Sequence, residues 1–146
     1  MLHRLKEERI NHINVASRGL FAYPGARPDP AMVNFLDRKR IRKVNHKSAQ
    51  LKRDDIEWSD LICVMEKGHQ KIIESLWPGA KGKIRHLASF IKDSRFNDDI
   101  IDPIGKSPYH YRLVQAQIFF AIDGLIKWLK EKGMDLKNDK NKDRSY

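Results

Sequence analysis

Apolar residues recur along the chain in two different periods, which predict alternating helices and strands. Leu2, Leu5 and Ile10 recur at helical spacing, so the chain is predicted to begin within an amphipathic helix. The continuous apolar run at residues 61–65 predicts a buried strand of a parallel sheet. Further helices are predicted at residues 30–40, 52–59, 67–77 and 107–132, and further strands at residues 12–17 and 83–90.

Turn-forming residues set the limits of these elements. Asp29 can cap a helix whose first position is Pro30, because proline has no N–H to leave unpaired. Pro78-Gly79 ends one helix, and Gly133 ends the last. Strands that alternate with helices indicate an α/β fold with a doubly wound parallel sheet.

The chain has 146 residues, of which 40% are hydrophobic, and this suits one globular domain over residues 1–133. A basic, polar tail at residues 134–146 is expected to be disordered. No apolar run has the length of a membrane span or of a signal peptide, so we expect a cytoplasmic protein without a membrane partner. The one cysteine, Cys63, excludes an intramolecular disulfide.

The formal net charge of +10 suits a protein that attracts phosphorylated substrates or other anions. A less specific interpretation assigns much of this charge to the solvated tail at residues 137–144. No helix-turn-helix, zinc or RNA-binding pattern accompanies the charge, so nucleic acid is not the expected partner.

Three stretches carry motifs whose order and spacing are more informative than any one of them. Residues 13–30 combine Ser17-Arg18-Gly19 with a Gly/Pro-rich loop, and residues 44–65 combine His46 with a short acidic helix and an apolar strand. Residues 101–107 place Asp102-Pro103 ahead of the last helix. Together they resemble the low-molecular-weight protein tyrosine phosphatases, over nearly the whole chain to about Lys132.

This resemblance implies a hydrolase that needs no cofactor and no metal. In the family, the thiolate of an N-terminal Cys-x5-Arg-Ser loop attacks phosphorus and forms a cysteinyl-phosphate. An aspartic acid protonates the leaving phenolate and then activates water. The implied substrate is a phosphotyrosine protein or a small aryl phosphate.

The resemblance also implies roles for four residues. Asp102 matches the general acid, although an aspartate before Pro103 can be an ordinary turn residue. Ser17 and His46 match side chains that brace the phosphate loop, while the simpler interpretations are a strand-end hydroxyl and a loop histidine. Tyr23 matches an aromatic residue of the substrate cleft, or is only a turn aromatic.

The nucleophile of the family has no counterpart in this sequence. Cys63 is followed six residues later by His69, so it does not begin a Cys-x5-Arg motif, and we interpret it as a small buried hydrophobe. We expect that the first strand and the phosphate loop are missing and that the chain is inactive. The histidines at positions 69, 86 and 110 make no metal-ligand spacing and are predicted to be surface or capping residues.

Three functions remain open at the level of sequence. The chain can belong to an enzyme whose N-terminal segment is absent here, or it can be a pseudophosphatase that only binds. It can also be a basic interaction protein unrelated to phosphatases. Retention of Asp102, His46 and Ser17 favours the first, because an enzyme that lost its chemistry long ago has no functional reason to keep them.

Overall fold

Helices and strands alternate along the part of the chain that the computed structural model describes, which comprises residues 1–41, 46–93, 95 and 99–132. The chain divides into two compact units, the first comprising residues 1–52 and the second beginning at Arg53. The elements are α1 Leu2–Glu7, α2 Pro30–Arg38, α3 Arg53–Trp58, β1 Ile62–Val64, α4 Lys67–Leu76, β2 Ile84–His86 and α5 Pro108–Glu131, with short 3₁₀ helices at Pro78–Ala80 and Leu87–Phe90.

In the first unit, α2 begins as its sequence predicts. The carboxylate of Asp29 accepts hydrogen bonds from the backbone N–H groups of Ala31 at 2.8 Å and of Met32 at 3.2 Å. Pro30 occupies the first turn, where no intrahelical partner is needed for its nitrogen. The helix ends at Arg38, two residues before its predicted end.

The predicted strand at residues 12–17 is wrong, because this segment has no regular secondary structure. Within the described chain, the backbone N–H groups of residues 11–17 donate to no backbone carbonyl. A strand exists only where a neighbouring strand completes its ladder, so the alternation of Ile13 and Val15 is not sufficient. The first unit has instead one isolated parallel bridge, between Gly19 and Gln50.

In the second unit, β1 and β2 form the predicted parallel pair, with Ile62 opposite Ile84 and Val64 opposite His86. This sheet has two strands within the described residues. The second strand is shorter than predicted, because the chain turns into the 3₁₀ helix Leu87–Phe90 directly after His86. The hydroxyl of Ser89 donates to the carbonyl of His86 at 2.6 Å and helps to close that turn.

The core of the second unit forms where α5 packs on the 3₁₀ helix Leu87–Phe90. The rings of Phe90 and Trp128 meet edge to face with centroids 5.6 Å apart. Leu125 and Leu129 of α5 are buried, and so is Leu87. The predicted last helix is therefore confirmed.

None of the helices within the described ranges is long and apolar enough to cross a bilayer. The predicted tail at residues 134–146 and Gly133 lie outside the described residues.

Candidate active site

A loop at residues 19–26 of the first unit is fixed by hydrogen bonds from a segment about 25 residues further along the chain. The side chain of Gln50 accepts from the N–H of Ala22 at 2.9 Å, and its amide nitrogen donates to a carbonyl of the same loop. Gly25, whose φ is 80°, donates its N–H to the carbonyl of Ser48 at 2.8 Å. The hydroxyl of Ser48 adds further contacts to the loop backbone. These bonds hold the loop in one conformation.

This fixed loop presents two aromatic rings to solvent. Tyr23, the predicted substrate-cleft residue, is 83% exposed, and Phe21 is 86% exposed. Exposed rings on a fixed loop can stack on a ligand with little loss of conformational entropy. The role of Tyr23 stays a prediction. The sequence analysis missed Phe21, although two large aromatic residues inside a Gly/Pro-rich loop are an available signal.

The two residues predicted to brace a phosphate loop contact each other. The hydroxyl of Ser17 lies 3.3 Å from Nε2 of His46, and 29 positions of sequence separate the two residues. Which atom donates depends on the tautomer of the imidazole. Both residues are exposed, so water competes with this hydrogen bond. The geometry joins the pair, and the bracing role stays a prediction.

Asp102, the predicted general acid, lies in an exposed turn ahead of α5 in the second unit. Its carboxylate accepts a hydrogen bond from the N–H of Ile104 at 2.9 Å, while Pro103 between them is buried. Ser107 is the N-cap residue of α5, and its hydroxyl lies 2.9 Å from Nδ1 of His110. An exposed carboxyl group on a defined turn can exchange a proton with a bound substrate or with water.

A second aspartate, which the sequence analysis missed, anchors the chain just before this turn. Oδ1 of Asp99 accepts the N–H of Lys67 at 3.0 Å and lies 3.7 Å from Nδ1 of His86. The next residue, Ile100, donates its N–H to the carbonyl of Met65 at 3.0 Å. Tertiary contacts of this kind leave no periodic signal in a sequence.

His86 is half-buried, so it is not a surface histidine, although it is the N-cap residue of the 3₁₀ helix Leu87–Phe90, without a capping hydrogen bond from its side chain. Its side chain is 15% exposed, and Nε2 is buried without a hydrogen-bond partner in the described chain. His86 is largely covered because it lies at the end of β2, where the segment that carries Asp99 packs close to its ring.

Cys63 on β1 has a thiol that is poorly suited to nucleophilic attack. The residue is exposed, which corrects the prediction of a buried hydrophobe, since its side chain alternates with those of Ile62 and Val64 across the strand. Although the residue is exposed by surface area, protein atoms around the sulfur desolvate the thiol in part and raise its pKa to about 11, against the smaller opposite effect of Arg85. Among the residues that the structure describes, no group of three or more His, Cys, Asp or Glu side chains is placed to hold a metal ion.

Comparison with known protein families gives one match along most of the chain. The model of the family described as low molecular weight phosphotyrosine protein phosphatase matches residues 1–135.

Two related sequences and one solved structure illustrate the similarity. The protein-arginine-phosphatase of Geobacillus stearothermophilus is 30% identical over 126 residues, which cover 86% of this chain and 83% of that protein. The "Probable low molecular weight protein-tyrosine-phosphatase AmsI" of Erwinia amylovora is 30% identical over 104 residues, covering 71% of this chain and 69% of that protein. The solved structure of the YwlE arginine phosphatase from Geobacillus stearothermophilus superposes with a TM-score of 0.78 at 29% identity, covering 91% of this chain and 84% of its own.

Proposed function

This chain belongs to the low molecular weight phosphotyrosine protein phosphatase family, and from that premise we propose that it is the acid-bearing part of a phosphoprotein phosphatase. The observation that carries the proposal is Asp102, an exposed carboxyl group in an Asp-Pro turn directly ahead of α5. In the proposed reaction, Asp102 gives a proton to the leaving atom of the substrate and then takes one from the attacking water.

The proposed substrate is a protein that carries phosphotyrosine or phosphoarginine. The relatives are named for one or the other of these two phosphoresidues. In both, the atom that leaves phosphorus must gain a proton, so one general acid suits either substrate. Tyr23 and Phe21, exposed on their fixed loop, supply rings on which a phosphotyrosine could stack.

The distribution of charge supports an anionic substrate. Residues 1–52 contain twelve Lys and Arg but four Asp and Glu, and so carry +8 of the formal +10. Residues 133–146 contain four basic and three acidic residues, so the interpretation that assigned much of the charge to the tail is wrong. A concentrated basic charge raises the local concentration of a phosphorylated partner.

The nucleophile is proposed to lie in a segment that precedes Met1 in the complete enzyme, together with the phosphate-binding arginine. The given sequence contains no Cys-x5-Arg. Desolvation raises the pKa of the Cys63 thiol to about 11, so this thiol stays mainly protonated at pH 7. Residues 1–146 alone are therefore proposed to be inactive.

A pseudophosphatase is the second candidate function, and the absence of a Cys-x5-Arg motif from residues 1–146 favours it. Such a protein would bind phosphoresidues without hydrolysing them. The third possibility, a basic protein unrelated to phosphatases, is wrong because the family is established.

The test compares the given chain with a chain extended by the in-frame codons upstream of Met1. Each is assayed with an aryl phosphate, a phosphotyrosine peptide and a phosphoarginine peptide. The given chain should show no turnover above buffer. The extended chain should be active, and Asp102→Asn should lower its rate by roughly 10²–10⁴-fold, most strongly for poor leaving groups. Asp60→Asn, at another exposed aspartate, is the matched control and should keep full activity.

Two outcomes would contradict the proposal. Turnover by the given chain that survives Cys63→Ser would mean a mechanism without a cysteine nucleophile. A stop codon upstream of Met1, combined with binding of a non-hydrolysable phosphotyrosine analogue, would replace the enzyme by the pseudophosphatase.

A further inference from the structure

We propose that Asp99 is a positioning residue that holds the turn bearing Asp102 in place. This role rests on the proposed function of Asp102 as the general acid. Asp99 touches no reacting atom in this assignment; it acts through the backbone of the three residues that follow it.

The first step is the bond between Asp99 and the start of α4. Glu66, the N-cap residue of that helix, makes no capping hydrogen bond with its side chain, and the first turn contains no acidic residue. Asp99 supplies the missing acceptor from 32 positions away, with Oδ1 at 3.0 Å from the N–H of Lys67. A carboxylate at this end of a helix satisfies a free donor and interacts favourably with the helix dipole.

The second step is the pair of fixed points on either side of the acid. Ile100 is only 3% exposed and is bonded to the carbonyl of Met65, at the carboxyl end of β1. Pro103 is also buried, whereas Ile101 and Asp102 between these points are exposed. The exposed Asp102 is therefore flanked on both sides by buried residues, and the backbone bond of Ile100 anchors the segment before it.

The third step is the contribution of His86, which faces Asp99 from the end of β2. Nδ1 of His86 lies 3.7 Å from the same carboxylate oxygen that caps α4. The same oxygen therefore accepts a hydrogen bond from α4 and lies near β2, at a distance too long for a hydrogen bond, so the bond to Lys67 is the main anchor of this segment. Asparagine in place of Asp99 can keep the bond to Lys67 but loses the charge, whereas alanine loses both contacts.

The structural test uses the chain as given and measures hydrogen exchange of single amides by NMR. Asp99→Ala should speed exchange at Ile100 and Ile104 by about fivefold or more, the factor that corresponds to the loss of a hydrogen bond of about 1 kcal/mol. Asp99→Asn should have a smaller effect. Asp93→Asn is the matched control, because Asp93 pairs with Arg95 on the surface and should leave both amides unchanged.

The amide of Leu125, within α5, separates a local effect from general destabilisation. Equal acceleration at Leu125, Ile100 and Ile104 would overturn the inference, since Asp99 would then stabilise only the fold. Unchanged exchange at Ile100 and Ile104 in Asp99→Ala would also overturn it.

The kinetic test uses the active, extended chain and substrates with good and poor leaving groups. Asp99→Ala should lower kcat by roughly 10-fold or more for a poor leaving group, with a smaller effect for a good one and on KM. Asp99→Asn should restore part of the loss. If Asp102→Asn leaves the rate unchanged, the proposed function fails. If Asp102→Asn slows the reaction but Asp99→Ala does not change the leaving-group dependence, only the positioning role fails.

Discussion

Gly124 offers the most direct test of the packing in the second unit. It lies where α5 crosses the 3₁₀ helix Leu87–Phe90, and a Cβ atom built on it would lie 1.9 Å from the carbonyl oxygen of Phe90. The same Cβ would be 2.8 Å from the carbonyl carbon. Both contacts are with backbone, so no side-chain rotation can relieve them. Alanine at this position must therefore push the two elements apart.

The magnitude follows from two opposing effects. Overpacking a core costs typically about 1–3 kcal/mol, and contact with rigid backbone places this site near the upper end. Separation would also weaken the contact between the rings of Phe90 and Trp128. Alanine is favoured over glycine within a helix by about 1 kcal/mol, which offsets part of the cost. We expect Gly124→Ala to lower the free energy of unfolding by about 2 kcal/mol, or Tm by about 8–16 °C for a unit of this size.

The measurement is thermal and urea unfolding followed by circular dichroism, with Gly68→Ala as the matched control. Gly68 lies in α4, and a Cβ atom there meets nothing within 4 Å. The control should therefore be neutral or stabilising by up to about 1 kcal/mol. If Gly124→Ala melts within about 2 °C of the parent, while the control behaves as expected, α5 and the 3₁₀ helix do not approach as closely as described.

Two further predictions concern Cys63 and Asp29. The rate of alkylation of Cys63 should rise about tenfold per pH unit from pH 7.5 to 9.5 without a plateau, because desolvation raises the pKa of the thiol to about 11. An apparent pKa below 9 in the alkylation rates would contradict this desolvation. Because folding raises this pKa, the protonated thiol contributes to the free energy of unfolding below about pH 9, and this contribution should be lost as pH rises toward 11. Cys63→Ser should remove that part of the pH dependence of the free energy of unfolding. Asp29→Ala should lower stability to urea by about 1 kcal/mol through loss of the α2 cap, whereas Asp29→Asn should stay within a few tenths; equal losses would exclude capping as the cause.

Local chemistry explains why most helices could be predicted from the sequence. Asp29-Pro30 marks the start of α2, Pro78-Gly79 follows the end of α4, and a stripe of apolar residues at helical spacing marks α5. Each signal depends on residues within a few positions of one another, so it acts before any tertiary contact exists. The parallel strand at residues 62–64 was also predictable from its short apolar run, but its predicted burial was not, since only Val64 of the three residues is buried.

Long-range packing, and not local pattern, determines whether the alternating segment at residues 12–17 forms a strand and which groups surround the candidate acid. A strand needs a partner, and the described chain supplies none to residues 11–17, whatever their own pattern. Asp102 and its turn could be predicted from local residues alone, because the carboxylate of an aspartate before proline accepts a hydrogen bond from the backbone two positions further on. The contacts of Asp99 with Lys67 and His86 depend on the meeting of a loop, a helix start and a strand end, because distances across a fold are set by packing and not by spacing along the chain.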